Sequence, residues 1–142
     1  MPLFACVILV DRRGWILLQE RDEHAPIDPE VWSLSGGHVD EGEEFEAAAY
    51  RELLEETGIE LGPGRLHLWR ELEVFHKVYD SLDRMQVFVA ACDLTDDDIT
   101  VGEGRQIVFV EPSVARTLDL STAATTLVPA FLDSDTYRKL TA

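Results

Sequence analysis

Leu3 to Val10 is an unbroken run of eight apolar residues, the longest in the chain. A membrane-spanning helix needs about 20, so the run is too short to cross a bilayer and no membrane partner is expected. It has the length of a signal-peptide core, but no basic segment precedes it and no small-residue cleavage site follows. Asp11-Arg12-Arg13-Gly14 comes next and reads as a turn. A buried first strand is the reading that remains. Trp15 to Gln19 predicts a second strand, joined to the first as a hairpin across Arg12-Arg13-Gly14.

The later segments mix strands and helices without the regular alternation of a parallel βαβ fold. Arg21 to Glu30 is polar, contains Pro26 and Pro29, and reads as a loop. Val31 to Leu34 predicts a short strand that runs into a turn at Gly36-Gly37. Glu44 to Thr57 predicts a helix, with acids in its first turn, the strong helix formers Ala47-Ala48-Ala49, and Gly58 placed as its C-terminal cap. Leu66 to Phe75, Met85 to Cys92 and Ile107 to Val110 read as strands, and Asp93 to Asp98 as a solvated acidic loop. A helical piece starts at Glu111-Pro112-Ser113 and runs through Leu118, followed by an amphipathic helix over Thr122 to Leu132. This order predicts an α/β (α+β) fold in which a mixed β-sheet is flanked by helices. No linker or repeat divides the 142 residues, so residues 1–142 are expected to form a single domain.

A composition of 46% hydrophobic and 28% charged residues is that of an ordinary water-soluble globular chain and excludes intrinsic disorder. Twelve basic against 28 acidic residues give a formal charge of -16. Such a surface repels nucleic acid, so nonspecific DNA or RNA binding is not expected. A phosphate-bearing small molecule is still allowed, because bound cations invert the local field. Cys6 and Cys92 both lie in apolar strand-like runs, and neither has the spacing of a metal site. Two buried thiols without a leader segment point to a reducing, cytoplasmic setting.

The chemistry concentrates between Asp40 and Glu60, where nine acids surround one basic residue, Arg51. Glu52, Glu55 and Glu56 are separated by helical steps of three and four and so project from one side of the helix. Like charges at these spacings repel, and burial would raise the cost much further. A divalent cation removes the conflict. All-oxygen donors favour magnesium, manganese or calcium over zinc. Phe45, Ala48 and Ala49 fall on the glutamate side while Ala47, Tyr50 and Leu54 lie opposite, which predicts a helix sandwiched between layers. Arg51 reaches Glu55 at i,i+4.

These residues also spell a family pattern. Gly37, Glu43, Arg51-Glu52-Leu53, Glu55-Glu56 and Gly58-Ile59 stand at the spacings of the Nudix box, and the sequence resembles it at all nine fixed positions over 23 residues. The resemblance implies the Nudix fold, a mixed sheet between helices. It also implies hydrolysis of a diphosphate linkage in a nucleoside diphosphate derivative or nucleoside triphosphate, by attack of water on phosphorus. By similarity, Glu52, Glu55, Glu56 and the Gly36 carbonyl would hold magnesium, with manganese as its expected substitute. Arg51 and Glu43 would orient these carboxylates, and Gly37 would let the loop pack against the helix. The base that takes the proton from water is either Glu52, the first choice, or Glu103 in the loop Val101-Gly102-Glu103-Gly104. Relatives often carry Pro where this chain has Ser35, before Gly36-Gly37. His38 is a candidate contact for a phosphate or a carboxylate.

Substrate choice lies outside the box. ADP-ribose-cleaving relatives often have a proline beyond it, and none lies between Gly64 and Glu111. Dinucleoside polyphosphate hydrolases often carry a tyrosine there, and Tyr79 is near that place but out of register. Short relatives include enzymes that hydrolyse oxidised nucleoside triphosphates. Trp69, Phe75, His76 and Tyr79 are candidates for an aromatic wall around a base, with Lys77, Arg70 or Arg84 on the phosphates. The alternative to a hydrolase is a Nudix-fold module that binds or senses a nucleotide without turning it over. Isoprenoid diphosphate isomerases share the fold, but neither Cys6 nor Cys92 is placed to match their catalytic cysteine. A homodimer through an edge strand or the C-terminal helix would be ordinary for such a chain.

Overall fold

The computed structural model describes residues 2–77 and 80–142. Strands β1 (Leu3–Val10), β2 (Ile16–Glu20), β3 (Trp32–Ser33) and β4 (Ser35–His38) precede helix α1 (Phe45–Thr57). Strands β5 (His67–His76), β6 (Ser81–Ala91) and β7 (Gln106–Val110) follow, and then helices α2 (Pro112–Ala115), α3 (Thr122–Leu132) and α4 (Asp135–Thr141). The strands form one mixed sheet in the order β3-β2-β1-β6-β5, with β4 added to β1 and β7 to β2. None of the described helices is long and apolar enough to cross a membrane.

β1 is buried on both sides, which explains its unbroken apolar run. Phe4, Cys6, Ile8 and Val10 pack with Leu127, Val128 and Phe131 of α3, while Ala5, Val7 and Leu9 pack with Ala48, Ala49 and Leu53 of α1. The sheet therefore separates two cores, one under each helix. β1 runs parallel to β6 from Leu3↔Arg84 to Val10↔Ala91.

The expected β1–β2 hairpin holds only at its root, where Val10 pairs with Ile16. Asp11 ties the turn together by accepting from the Arg13 and Trp15 amides at 2.8 and 3.0 Å. Beyond it the strands separate, and β4 takes the place beside β1, from Phe4↔His38 to Val7↔Ser35. Ser35 to His38 is thus a strand and not the expected turn. This departure from the antiparallel ribbon opens the sheet beside the glycine pair.

α1 ends as anticipated. Gly58 adopts φ 73° and its N–H bonds to Leu54 O at 2.9 Å, the left-handed cap that favours glycine. The helix is not sandwiched, however. Leu54 is 44% exposed and Ala47 faces solvent, while Ala48, Ala49, Leu53, Glu56 and Thr57 form the buried side. α3 spans the expected residues, capped by Ser121 Oγ accepting from Ala124 N. α4 was not anticipated. Ser134 caps it, and Tyr137 docks it by donating to Gly14 O at 2.5 Å and packing edge-on against Phe131.

Candidate active site

The site forms where α1 crosses β4. Gly36 has φ 150°, and a Cβ there would lie 2.3 Å from Ala5 O; at Gly37 it would lie 2.7 Å from the Glu52 carboxyl. Two glycines are needed because β1 presses from one side and a helix carboxylate from the other. The expected close packing at Gly37 is present, made by a strand where a loop was anticipated.

The three helix glutamates sit at different depths. Glu56 is 3% exposed and accepts a hydrogen bond on Oε1 from Gly36 N at 2.9 Å. Burial, reinforced by the nearby charges of Glu103 and Glu52, pushes its carboxyl up to about 8, against the opposing pull of the Gly36 N–H and of Arg21. Glu52 is partly covered and is also raised by burial, with Arg51 opposing the shift. Glu55 projects into solvent, its side chain 58% exposed.

Arg51 binds this row to the β4–α1 loop. Its Nε and Nη2 donate to the two oxygens of Glu43, each at 2.9 Å, a bidentate pair that holds Glu43 down at about 2. Nη1 donates to Glu52 Oε1 at 2.9 Å and more weakly to Glu55 at 3.3 Å. Nη2 also donates to the His38 carbonyl at 3.0 Å. The expected i,i+4 contact to Glu55 is present, but it is the weakest of the set. Glu43 and Glu52 are the main partners.

The Glu103 loop packs on the same end of α1. Gly102 N donates to Glu56 O at 2.7 Å, Gln19 Nε2 donates to Glu103 O at 2.8 Å, and a Cβ on Gly102 would lie 2.2 Å from Glu55 O. Glu103 thereby joins Glu52 on the wall of a cavity of about 270 Å³, whose other walls include Gly36, Gly37, Phe4, His38, His76, Met85, Ile27 and Arg21.

Of the proposed substrate contacts, His76 and His38 line this cavity. Trp69 packs edge-on against Phe131 with its centroid 5.2 Å away, Arg70 lies over Trp69, Phe75 is half exposed, and Arg84 approaches Glu71. Those four serve packing and surface pairing, and Lys77 does not line the cavity. Tyr79 lies outside the described residues. Arg21, which sequence reasoning missed, is the only lysine or arginine on the cavity wall among the described residues. Its Nη1 donates to Ile27 O at 2.9 Å, while its buried Nε has no partner among the described residues. The available signal was a single cation directly after a buried strand.

Among the described residues no three acidic, histidine or cysteine side chains converge on one point. Arg51 Nη1 lies between Glu52 and Glu55, and Glu56 turns toward Gly36. The donor chemistry nevertheless fits a hard divalent cation. The donors are carboxylates, and the two innermost carry proton affinities raised by burial, a conflict that a cation relieves.

A helical row of carboxylates clamped by one arginine against a glycine strand, on a mixed sheet between helices, defines a recognised architecture. The fold is shared with the MutT protein from Methanosarcina mazei Go1, at a TM-score of 0.76 and 20% identity over 92% of this chain and 91% of that one. The chain belongs to the Nudix family, whose NUDIX domain model matches residues 2–131. It is 29% identical over 121 residues to nucleoside triphosphatase NudI from Escherichia fergusonii, covering 81% of this chain and 86% of the relative. It is 48% identical over 54 residues to a putative 8-oxo-dGTP diphosphatase from Bacillus subtilis, covering 38% of this chain and 33% of that protein. The chain spans between about a quarter and a third of the length of several curated relatives that it matches.

Proposed function

We propose that the protein is a divalent-metal-dependent pyrophosphohydrolase acting on a nucleoside triphosphate or a nucleoside diphosphate derivative. The observation that carries this reading is the position of Glu52 and Glu103 on one cavity wall, with Glu56 buried behind them. Glu52, Glu55, Glu56 and the Gly36 carbonyl would hold magnesium, with manganese as substitute. When bound, the metal supplies charge neutralisation of the phosphate oxygens and acidifies water.

The chain's own groups supply positioning and proton transfer. Arg51 and Glu43 fix the orientation of the Glu52 carboxylate, so little reorganisation is needed at the moment of attack. Glu52 is the first candidate for the base because it is raised toward neutrality and borders the cavity. Glu103, on a loop tied to the same helix, is the second. Arg21 brings a cation to the wall and suits a substrate phosphate. The compartment we propose is a reducing cytoplasm, in keeping with Cys6 and Cys92 both buried as free thiols.

The test is product release with magnesium across ordinary and oxidised nucleoside triphosphates, nucleotide sugars, ADP-ribose and dinucleoside polyphosphates. Turnover of one class, abolished by chelator and by Glu56→Gln, is expected. Folded protein that binds a nucleotide with metal but turns over no member of the panel would instead establish the sensing module.

A further inference from the structure

The cavity draws its walls from both faces of the sheet. Glu52 reaches it from α1, whereas Ile27 and Asp28 of the β2–β3 loop and Ser121 and Ala123 at the start of α3 close it from the opposite face. The polar groups on that side differ in what they have left to offer. The Ser33 and Ser121 hydroxyls bond each other at 2.9 Å, and Ser121 Oγ also accepts from Ala124 N. Asp28 is partly buried, and its Oδ2 accepts from Thr122 N, the first amide of α3, at 2.8 Å. Its Oδ1 has no hydrogen-bond or ion-pair partner among the described residues. Arg21 holds the preceding residue by donating to Ile27 O, and the chain turns at Asp28 with φ 45°. Asp and Asn tolerate that left-handed conformation better than other side chains that carry a Cβ. The carboxylate is thereby fixed from two sides and keeps one free acceptor. An ionised carboxylate has no donor to offer, and the N-terminus of α3 favours that form.

Charge decides which part of a nucleotide can meet it. Arg105 pairs with Glu23 and Glu30 of the same loop, and no cation among the described residues pairs with Asp28. Asp28 therefore repels phosphates, which belong with Arg21 and the metal-binding carboxylates. The neutral nucleoside remains. Phe4, Met85, Ile27 and Ala123 supply apolar walls on this side, which suit a flat base better than a hydroxyl-rich sugar.

We propose that Asp28 is a specificity-determining residue whose Oδ1 accepts from an exocyclic amino group of the nucleobase. A keto oxygen at the same place sets two acceptors face to face and leaves Oδ1 without a donor, so the site selects amino bases over keto bases. This assignment rests on the pyrophosphohydrolase reading, which puts the phosphates at the Glu52 and Glu103 end.

ATP and ITP, or CTP and UTP, differ by amino against keto at one position, and GTP and ITP by amino against hydrogen. In the pair whose base the wild-type protein accepts, the amino member is expected to lead by about 10- to 100-fold in kcat/KM, mainly through KM. Asp28→Asn keeps an acceptor for Thr122 N and a side chain suited to the backbone, but puts an amide NH2 where Oδ1 stood. The lead is expected to vanish or reverse in that variant. Asp28→Ala, which offers neither group, abolishes the lead without reversing it, and the Ser121 cap still holds α3. Calorimetric binding of AMP, GMP, IMP, CMP and UMP repeats the comparison without turnover, so it separates failure of this assignment from failure of the hydrolase reading. No amino lead in the wild-type protein, a lead unchanged in Asp28→Asn, or an Asp28 effect that follows removal of a sugar hydroxyl in place of the amino group would overturn it.

Discussion

Asp83 and Glu56 are both buried carboxylates, each hydrogen-bonded to a residue of the cavity wall, His76 and Gly36 respectively, and they are finished in opposite ways. Asp83 has an imidazole on one oxygen and a hydroxyl on the other. Glu56 has one backbone N–H and no ion pair among the described residues, and burial raises its carboxyl to about 8. The first has both oxygens hydrogen-bonded within the chain and belongs to the architecture behind the cavity wall. The second is balanced only by a proton or an added cation, as a metal-dependent centre requires.

The comparison breaks most sharply in activity. Glu52→Gln is expected to lower kcat by about 10²- to 10⁴-fold, the usual worth of a general base, while Glu103→Gln lowers it less; steady-state rates with magnesium decide between the two bases. Stability should then separate the two buried carboxylates by sign. Asp83→Ala leaves His76 Nδ1 and Ser81 Oγ without their hydrogen-bond partner and is expected to cost about 1–3 kcal/mol, whereas Glu56→Gln should stabilise the metal-free protein near neutral pH, both read from urea unfolding.

The same contrast appears in pH dependence. Glu56 has an ordinary value of 4.5 and a folded value of about 8, so between these pH values the folded state holds a proton that the unfolded state has released. Its contribution is fully present below about 4.5 and is lost as pH rises through about 8. Metal-free protein should therefore lose on the order of a few kcal/mol over that window, and magnesium should restore it as a rise in Tm. Glu56→Gln should flatten the profile. The smallest effect concerns Ser35, which is fully buried beside β1, its hydroxyl without a hydrogen-bond partner among the described residues. Ser35→Ala is expected to raise stability by about 1 kcal/mol, measured by thermal unfolding, with kcat little changed.

Local signals in the chain anticipated α1 and its Gly58 cap, β1 and α3, because each depends on periodicity and capping within one segment. The carboxylate row was legible for the same reason, since steps of three and four along a helix need no tertiary information. β4 was not. Ser35-Gly36-Gly37 has the composition of a turn, and it is a strand because β1 lies alongside and leaves no room for side chains. Ala47 and Leu54 looked like a second buried face, but both are exposed, and of that side Tyr50 is the residue that packs, accepting from Leu66 N at 2.9 Å. The His76–Asp83 pair was equally hidden. The two residues face each other only through the β5–β6 register, which places His76 opposite Ser81.

The loop at Val101 to Gly104 has one more consequence, for anyone building on this scaffold. Gly102 is pinned to the last turn of α1, and Gly104, at φ 83°, lies so near β2 that a Cβ would sit 2.7 Å from Glu20 O. Peptide insertions or loop grafts there would displace Glu103. Gly62 and Gly64, by contrast, have nothing among the described residues within 4 Å of an added Cβ. An epitope tag, fluorophore or fusion partner spliced between them leaves the reactive face untouched.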